Sequence, residues 1–317
     1  MRKTTFIFPV LFLLFLTSCG KDQKAPKETE VIAVDNLIVV NTDNSEELPA
    51  EESVHQDIVE SEEEKTPEIL HFVDVFGEEY EVEINDNIAK NLYDQAGYVR
   101  TGDRLAYEDD MFTSRMGVDV SKHQGAIDWE SVKDSGIEFA FIRIGYRGYG
   151  TEGSINLDQQ FERNIKEAQA EGIDVGVYFF AQAINEDEAK EEAEFVINSL
   201  KGYELQLPVV YDPESILDAE ARTDDVTGEQ FTKNTVVFCS TIKEAGYAPM
   251  IYSNMLWEAY ELNLEKLSEY PVWYADYEEY PQTPYMFEFW QYSNEGRVKG
   301  ISGVTDLNIQ FINKENQ

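Results

Sequence analysis

Cysteine, histidine and basic residues are all scarce in this chain of 317 residues. It has two cysteines and three histidines, and no Cys/His cluster has the spacing of a zinc site. No serine or cysteine catalytic triad can be assembled either. Lysine and arginine number 25 against 63 aspartates and glutamates, so the formal net charge is −38. Because phosphate binding needs a basic face, this charge excludes nucleic acid as a partner but leaves a polysaccharide open.

The apolar run at residues 6–16, after Arg2 and Lys3, is too short to span a bilayer. It ends in the letters LTSC, which resemble the lipobox of bacterial lipoproteins. The resemblance implies that residues 1–19 are a lipoprotein signal peptide, cleaved before Cys19, and that the Cys19 thiol is acylated. The chain would then be exported and held at the bacterial cell membrane or outer membrane by acyl groups. An ordinary signal peptide with a chance cysteine, or an uncleaved anchor, remains an alternative.

Residues 20–68 have few aromatics and weak periodicity, and they include acidic runs such as residues 62–64. This composition predicts a disordered tether that repels itself and extends. Residues 69–115 differ from it. Apolar and polar residues alternate at 71–76 and 80–84 around Gly77, which predicts a hairpin. A short helix at 87–94 and a strand-turn near 98–107 would complete a small β-rich subdomain or an extension packed on the main domain.

From residue 116 onward, strand-like and helical stretches alternate regularly. The predicted strands are 117–121, 139–146, 174–181, 208–212, 248–253, 272–277, 287–293 and 303–311. The predicted helices are 129–134, 158–171, 186–201 and 228–245. Alternation at this spacing indicates parallel β/α units. Five such units and three closing strands make eight strands, the number that closes a barrel. Residues 116–317 are therefore predicted to form an α/β fold, an incomplete TIM-like barrel of (β/α)5(β)3 type.

The strand that ends near Asp212 carries a pair of carboxylates, Asp212 and Glu214. Residues i and i+2 of a strand share a face, with Cα atoms roughly 6.5–7 Å apart. Pro213 between them indicates that the strand is ending. Neighbouring carboxylates cannot both ionise freely, so the pair favours one proton donor and one anion. The alternative is the start of a solvated loop with two surface acids.

Barrel active sites lie at the carboxyl ends of the strands, a rule that here selects four acids. They are Asp119, Asp212, Glu214 and Asp306, each predicted at or near the carboxyl half of a strand. The position of Asp306 depends on where its strand begins.

Seven ordered blocks in residues 116–311 resemble the glycoside hydrolase family 25 lysozymes. They are DVSKHQG at 119–125 with IDW at 127–129, FAFIR at 139–143, GVYFFA at 176–181, PVVYDPE at 208–214, WYA at 273–275, WQY at 290–292 and GVTDLN at 303–308. The resemblance implies an incomplete β/α barrel. It also implies hydrolysis of the β-1,4 bond between N-acetylmuramic acid and N-acetylglucosamine in peptidoglycan, without a metal or other cofactor. One departure is Phe179, where the family often has histidine.

Carried over by residue, the resemblance implies that Glu214 is the general acid and that Asp212 assists the 2-acetamido group or a water. Asp119 and Asp306 would complete an acidic floor that raises the pKa of the donor. Substrate assistance and inversion with a carboxylate base both remain open.

Five further side chains are candidates for binding the sugar. Aromatic faces pack on sugar rings, which selects Tyr178, Trp290, Tyr252 and Trp273, and Gln291 beside Trp290 is a candidate hydrogen-bonding partner. For the aromatics, a place in the core is the alternative. We therefore expect a monomeric, lipid-anchored muramidase. The alternative is a lipoprotein that binds cell-wall glycan on the same barrel without turnover.

Overall fold

The computed structural model describes residues 66–216 and 220–316 of the chain. The signal predicted for residues 1–19, with its acceptor Cys19, lies outside the described residues. So does the predicted tether as far as residue 65. Among the described residues, no helix is both long and apolar enough to cross a membrane.

The described part of the chain contains thirteen strands and five α-helices. The strands are β1 (Ile69–Val73), β2 (Glu79–Glu83), β3 (Tyr98–Thr101), β4 (Arg104–Tyr107), β5 (Phe112–Val120), β6 (Phe139–Arg147), β7 (Ile155–Leu157), β8 (Asp174–Ala181), β9 (Val209–Pro213), β10 (Pro249–Asn254), β11 (Val272–Ala275), β12 (Phe289–Gly296) and β13 (Thr305–Asn313). The helices are α1 (Trp129–Asp134), α2 (Phe161–Ala170), α3 (Glu186–Ser199), α4 (Gly228–Glu244) and α5 (Leu264–Leu267).

Eight of the strands close into a barrel, in the order β5, β6, β8, β9, β10, β11, β12 and β13. Neighbouring strands from β5 to β12 pair in parallel, and β13 pairs antiparallel with both β12 and β5. The short strand β7 adds an antiparallel pairing at the end of β6. The predicted α/β fold, a TIM-like barrel with three closing strands, is confirmed.

The bounds of the elements differ from the predictions at a few places. The first barrel strand begins at Phe112, four residues before the boundary predicted at residue 116. The helix predicted at 87–94 is wrong: those residues form turns and an isolated bridge. The side chains of Asn85 and Asn91 accept hydrogen bonds from the backbone N–H groups two residues on, a local bond that competes with helix formation. The helix α5 and a π-helical turn at Trp257–Glu261 were not predicted.

Aromatic rings fill the barrel interior near the amino ends of the strands. Phe141 stacks on Trp273 with ring centroids 4.5 Å apart, and Phe289 lies edge-on to both Phe139 and Phe141. Gly117 leaves room for the Phe139 ring, which a Cβ at that position would meet at 2.3 Å. Because these rings fill the interior, polar chemistry is confined to the end of the barrel formed by the carboxyl ends of the parallel strands.

The segment before the barrel packs on the closing strands. The two hairpins β1–β2 and β3–β4 form separate two-stranded sheets. Tyr93 stacks on Phe311 of β13 at 3.8 Å between ring centroids, and Tyr98 lies edge-on to Trp290 of β12 at 5.5 Å. Aromatic packing therefore attaches residues of this segment to the outside of the barrel.

Candidate active site

The four predicted acids meet at one end of the barrel, around a cavity of about 310 Å³. Asp119 lies near the carboxyl end of β5, Asp212 lies near the end of β9, and Glu214 follows that strand. Asp306 is the second residue of β13, so the prediction that it lies in a carboxyl half is wrong. It reaches the site because β13 runs antiparallel to its neighbours, which brings its amino end to their carboxyl ends. We call this space the acidic cavity.

Asp119 is the most heavily hydrogen-bonded of the four acids. Its Oδ2 accepts from Gln291 Nε2 and from Asn308 Nδ2, each at 2.8 Å, and its carboxyl also shares a hydrogen bond with Asp306. Burial raises the pKa of Asp119, and these hydrogen bonds act against that rise. Three donors therefore stabilise its anion.

Asp306 carries the proton that its pairing with Asp119 requires. Burial, then the charge of Asp119 and their shared hydrogen bond, raise the pKa of Asp306 to about 9. Two carboxylates this close cannot both ionise at neutral pH, so the pair holds one negative charge.

Asp212 is buried, and its Oδ1 has no hydrogen-bond partner among the described residues. Burial, then the charges of Glu214 and Asp119, raise its pKa well above the usual value. A buried acceptor without a partner is costly in a folded protein. This atom therefore lines the acidic cavity with an unfilled capacity to accept a hydrogen bond.

Glu214 is partly exposed, in contrast to Asp212. Burial and the Asp119 charge raise its pKa to about 7. Its backbone oxygen accepts a 2.7 Å hydrogen bond from Gln182 Nε2, whose amide oxygen in turn accepts from Thr223 Oγ1 at 3.0 Å. A carboxyl with a pKa near 7 at a partly open position can donate a proton at neutral pH.

Four of the five predicted sugar-binding residues line the acidic cavity: Tyr178, Tyr252, Trp273 and Gln291. Gln291 is 4% exposed, and its Oε1 accepts from the hydroxyls of Tyr252 and Tyr277, each at 2.9 Å. Its amide is thereby held in the orientation that donates to Asp119.

The placement of Trp290 in a sugar groove is wrong. The side chain is fully buried on the outer face of the barrel sheet, away from the barrel interior, where Nε1 donates to the backbone oxygen of Asp276 at 2.8 Å. Successive residues of a strand point to opposite faces, so Gln291 faces the cavity and Trp290 faces away.

Two residues that line the acidic cavity were not predicted, Tyr277 and Asn294. Every second side chain of a strand faces the same side, so Tyr277 follows Trp273 and Ala275 toward the barrel interior, and this spacing could have identified it from the sequence. Asn294 lies beyond a register shift in β12, which breaks that period.

A family model for glycosyl hydrolases family 25 matches residues 118–301, which include Asp119, Asp212 and Glu214; Asp306 lies five residues beyond the match. This chain belongs to glycosyl hydrolases family 25. The resemblance of the sequence to this family is thereby confirmed. Phe179, the departure from the family pattern, is buried in the outer layer beside Phe195 and Phe238, so it does not line the acidic cavity of this family 25 enzyme.

Similar proteins share the barrel portion of this family 25 chain. An uncharacterized protein, YegX, of Escherichia coli K12 is 32% identical over 205 residues, which cover 61% of this chain and 68% of that protein. Lysozyme M1 of Streptomyces globisporus is 30% identical over 212 residues, covering 61% and 66%. The solved structure of the modular autolysin LytC from Streptococcus pneumoniae has a TM-score of 0.57 at 24% identity and covers 76% of this chain. The match spans 56% of the LytC chain, and this likeness supports the fold.

Proposed function

We propose that this chain is a muramidase that hydrolyses the β-1,4 bond between N-acetylmuramic acid and N-acetylglucosamine in peptidoglycan. The observation that carries the proposal is the pairing of Glu214 with Asp212. Glu214 is a partly exposed acid with its pKa raised to about 7, and Asp212 is a buried acid whose Oδ1 accepts no hydrogen bond from the described residues. Family membership supports the class of reaction, and the relative named Lysozyme M1 supports the substrate.

In this proposal Glu214 is the general acid. Its proton passes to the glycosidic oxygen as the bond to the sugar breaks. Burial and the Asp119 charge raise the pKa of Glu214, so a large fraction of it keeps that proton at neutral pH.

Asp212 either orients the 2-acetamido group or activates a water. Among the described residues Asp212 Oδ1 has no hydrogen-bond partner, and an acetamido N–H would supply one, which favours the carboxylate form of Asp212. The acetamido oxygen would then attack the anomeric carbon, as in substrate-assisted glycosidases. A water on the opposite face of the sugar, with Asp212 as its base, would instead invert the configuration.

The test is digestion of purified peptidoglycan by the protein and by Glu214→Gln. Released fragments and their reducing ends are identified by mass spectrometry. New muramic-acid reducing ends with the parent, lost in Glu214→Gln and kept in Glu220→Gln at an exposed acid six residues later in the sequence, support the proposal.

Two other results would overturn it in different ways. Reducing ends on N-acetylglucosamine would identify a glycosidase of another bond. Sedimentation with peptidoglycan but no fragments would support the alternative, a glycan-binding lipoprotein without turnover.

We further propose that the chain is exported and anchored through acylation of Cys19. Bacteria that express the full chain would be fed an alkyne fatty acid, and the protein would be followed in membrane and soluble fractions. Label and membrane association should disappear in Cys19→Ala and persist in Cys239→Ala, whose thiol is free and buried. Label on both variants would contradict the anchor at Cys19.

A further inference from the structure

The tip of the hairpin β1–β2 exposes apolar side chains. Val75 and Phe76 are 68% and 70% exposed, the highest values among the large hydrophobic side chains of the described residues. We call residues 69–83 the N-terminal hairpin. It lies outside the matched family region, which begins at residue 118. Adjacent exposed apolar side chains of this size are typical of a binding surface.

The turn that carries these two side chains is rigidly built. Asp74 Oδ1 accepts from the backbone N–H groups of Phe76 at 2.8 Å and of Glu78 at 3.0 Å. Gly77 has a φ of +79°, a conformation that glycine adopts without strain. Exposure of Val75 and Phe76 is thus a property of an ordered turn, which binds with a smaller entropic cost than a flexible loop.

The N-terminal hairpin is attached to the loop that follows β11. Gln282 Oε1 accepts from Val73 N at 2.8 Å, and Gln282 Nε2 donates to Val73 O at 2.9 Å. Gln282 N donates to the buried Asp276 at 2.9 Å, and Tyr260 donates to Glu81 O at 3.0 Å. These contacts hold the hairpin at the carboxyl ends of β10 and β11, the same end of the barrel as the four acids.

A cleft of about 140 Å³ separates the N-terminal hairpin from those strand ends. Its walls include Val73, Asp74 and Val75 on one side and Asn254 and Tyr277 on the other. Tyr277 also lines the acidic cavity. One tyrosine, 37% exposed, therefore stands between the two spaces, and the surface continues from the acids to the hairpin.

From this continuity we propose that the N-terminal hairpin forms a distal subsite for the same glycan strand that enters the acidic cavity. Val75 and Phe76 contact the apolar faces of sugar rings beyond those at the scissile bond. The proposal rests on the proposed glycan substrate, since a linear polymer that fills the cavity must leave it along a neighbouring surface. Apolar contact with polar groups at the rim is the usual composition of a ligand site.

Chain-length dependence tests the subsite. Peptide-free glycan tetrasaccharides and dodecasaccharides would be given to the parent and to the double variant Val75→Ser with Phe76→Ser. We expect kcat/KM on the dodecasaccharide to fall about tenfold while the tetrasaccharide rate is unchanged. The matched control is Val99→Ser with Leu92→Ser, which removes two exposed apolar side chains (57% and 53%) from other parts of the same segment. It should leave both rates unchanged.

Binding measured in a Glu214→Gln background separates this inference from the proposed function. Tighter binding of the dodecasaccharide, lost with the hairpin variant, would support the subsite even if the parent protein cleaves nothing. Equal effects on both lengths, or none on either, would overturn the subsite. Circular dichroism and the melting temperature would establish that the variants fold.

Discussion

Asp306 and Asp119 are register partners on the antiparallel strands β13 and β5, and their carboxyl groups share a hydrogen bond. Asp306 holds the proton, because burial and the Asp119 charge raise its pKa to about 9. Asp119 also accepts from Gln291 and Asn308, so the negative charge of the pair rests on it. That charge raises the pKa of Glu214. Asp306 and Asn308 of β13 therefore help to keep the negative charge on Asp119, and that charge raises the pKa of the proton donor Glu214.

Asp119→Asn should move the alkaline limit of activity to lower pH. Glu214 acts while protonated, so the rate falls as pH rises through its pKa of about 7. Removing the Asp119 charge lowers that pKa, and the acid form is lost earlier. A pH profile of kcat/KM on peptidoglycan measures the shift, with Asp134→Asn on the exposed end of α1 as control. An unmoved alkaline limb would contradict the electrostatic role of Asp119.

Gln182→Met should lower kcat about tenfold and change KM by less than that. The variant keeps the volume of the side chain but removes the donor to the Glu214 carbonyl and the acceptor of Thr223. Glu214 would then be held less closely, while its carboxyl chemistry is unchanged.

Two readouts separate this positioning role from a general loss of stability. The alkaline pKa of the pH profile should stay with the parent value, and the fraction folded at the assay temperature should be unchanged. A KM increase with unchanged kcat would contradict the positioning of Glu214 by Gln182.

Glu258→Gln should reduce the amount by which the free energy of unfolding falls as pH rises. Burial raises the pKa of Glu258 to about 8 from 4.5. Below about pH 4.5 both states carry the proton. Between about 4.5 and 8 the unfolded state releases it and the folded state keeps it, so stability falls as pH rises.

The Glu258 contribution is at most on the order of 3–5 kcal/mol. Urea unfolding at pH 5 and pH 8 measures it. The difference between the two free energies of unfolding should shrink in Glu258→Gln and persist in Glu130→Gln, an exposed acid on α1. An equal difference in both variants would show that Glu258 does not titrate in this range.

Trp290→Phe should destabilise the fold by about 1–3 kcal/mol and leave glycan affinity unchanged. The ring is buried in the outer layer and loses its hydrogen bond to Asp276 O. Tyr178→Leu, which alters a side chain lining the acidic cavity, should weaken glycan binding instead. Calorimetry with dodecasaccharide in a Glu214→Gln background compares the two. A selective loss of glycan affinity in Trp290→Phe would contradict this result and indicate that Trp290 contacts the glycan.

Local sequence was most informative where one physical rule decides the outcome. The bounds of α1 and β8 were predicted to the residue, because each is a short periodic stretch between clear breaks. Period two placed Asp212 and Glu214 on one face. The same rule, applied to Trp290 and Gln291 together, excludes one of them from the cavity. The helix predicted at 87–94 failed because asparagine side chains there accept hydrogen bonds from backbone N–H groups two residues on.

The sequence by itself determined the barrel, the family and the identity of the four acids, because alternation of strands and helices and the order of the motifs are local properties of the chain. Tertiary structure decided what those acids experience. Strand direction brings Asp306 to Asp119. Closure of the barrel buries Asp212, whose Oδ1 has no hydrogen-bond partner among the described residues, while it leaves Glu214 partly open. Proton affinity depends on burial and on charges that are distant in sequence, so the raised pKa values emerge when the barrel closes.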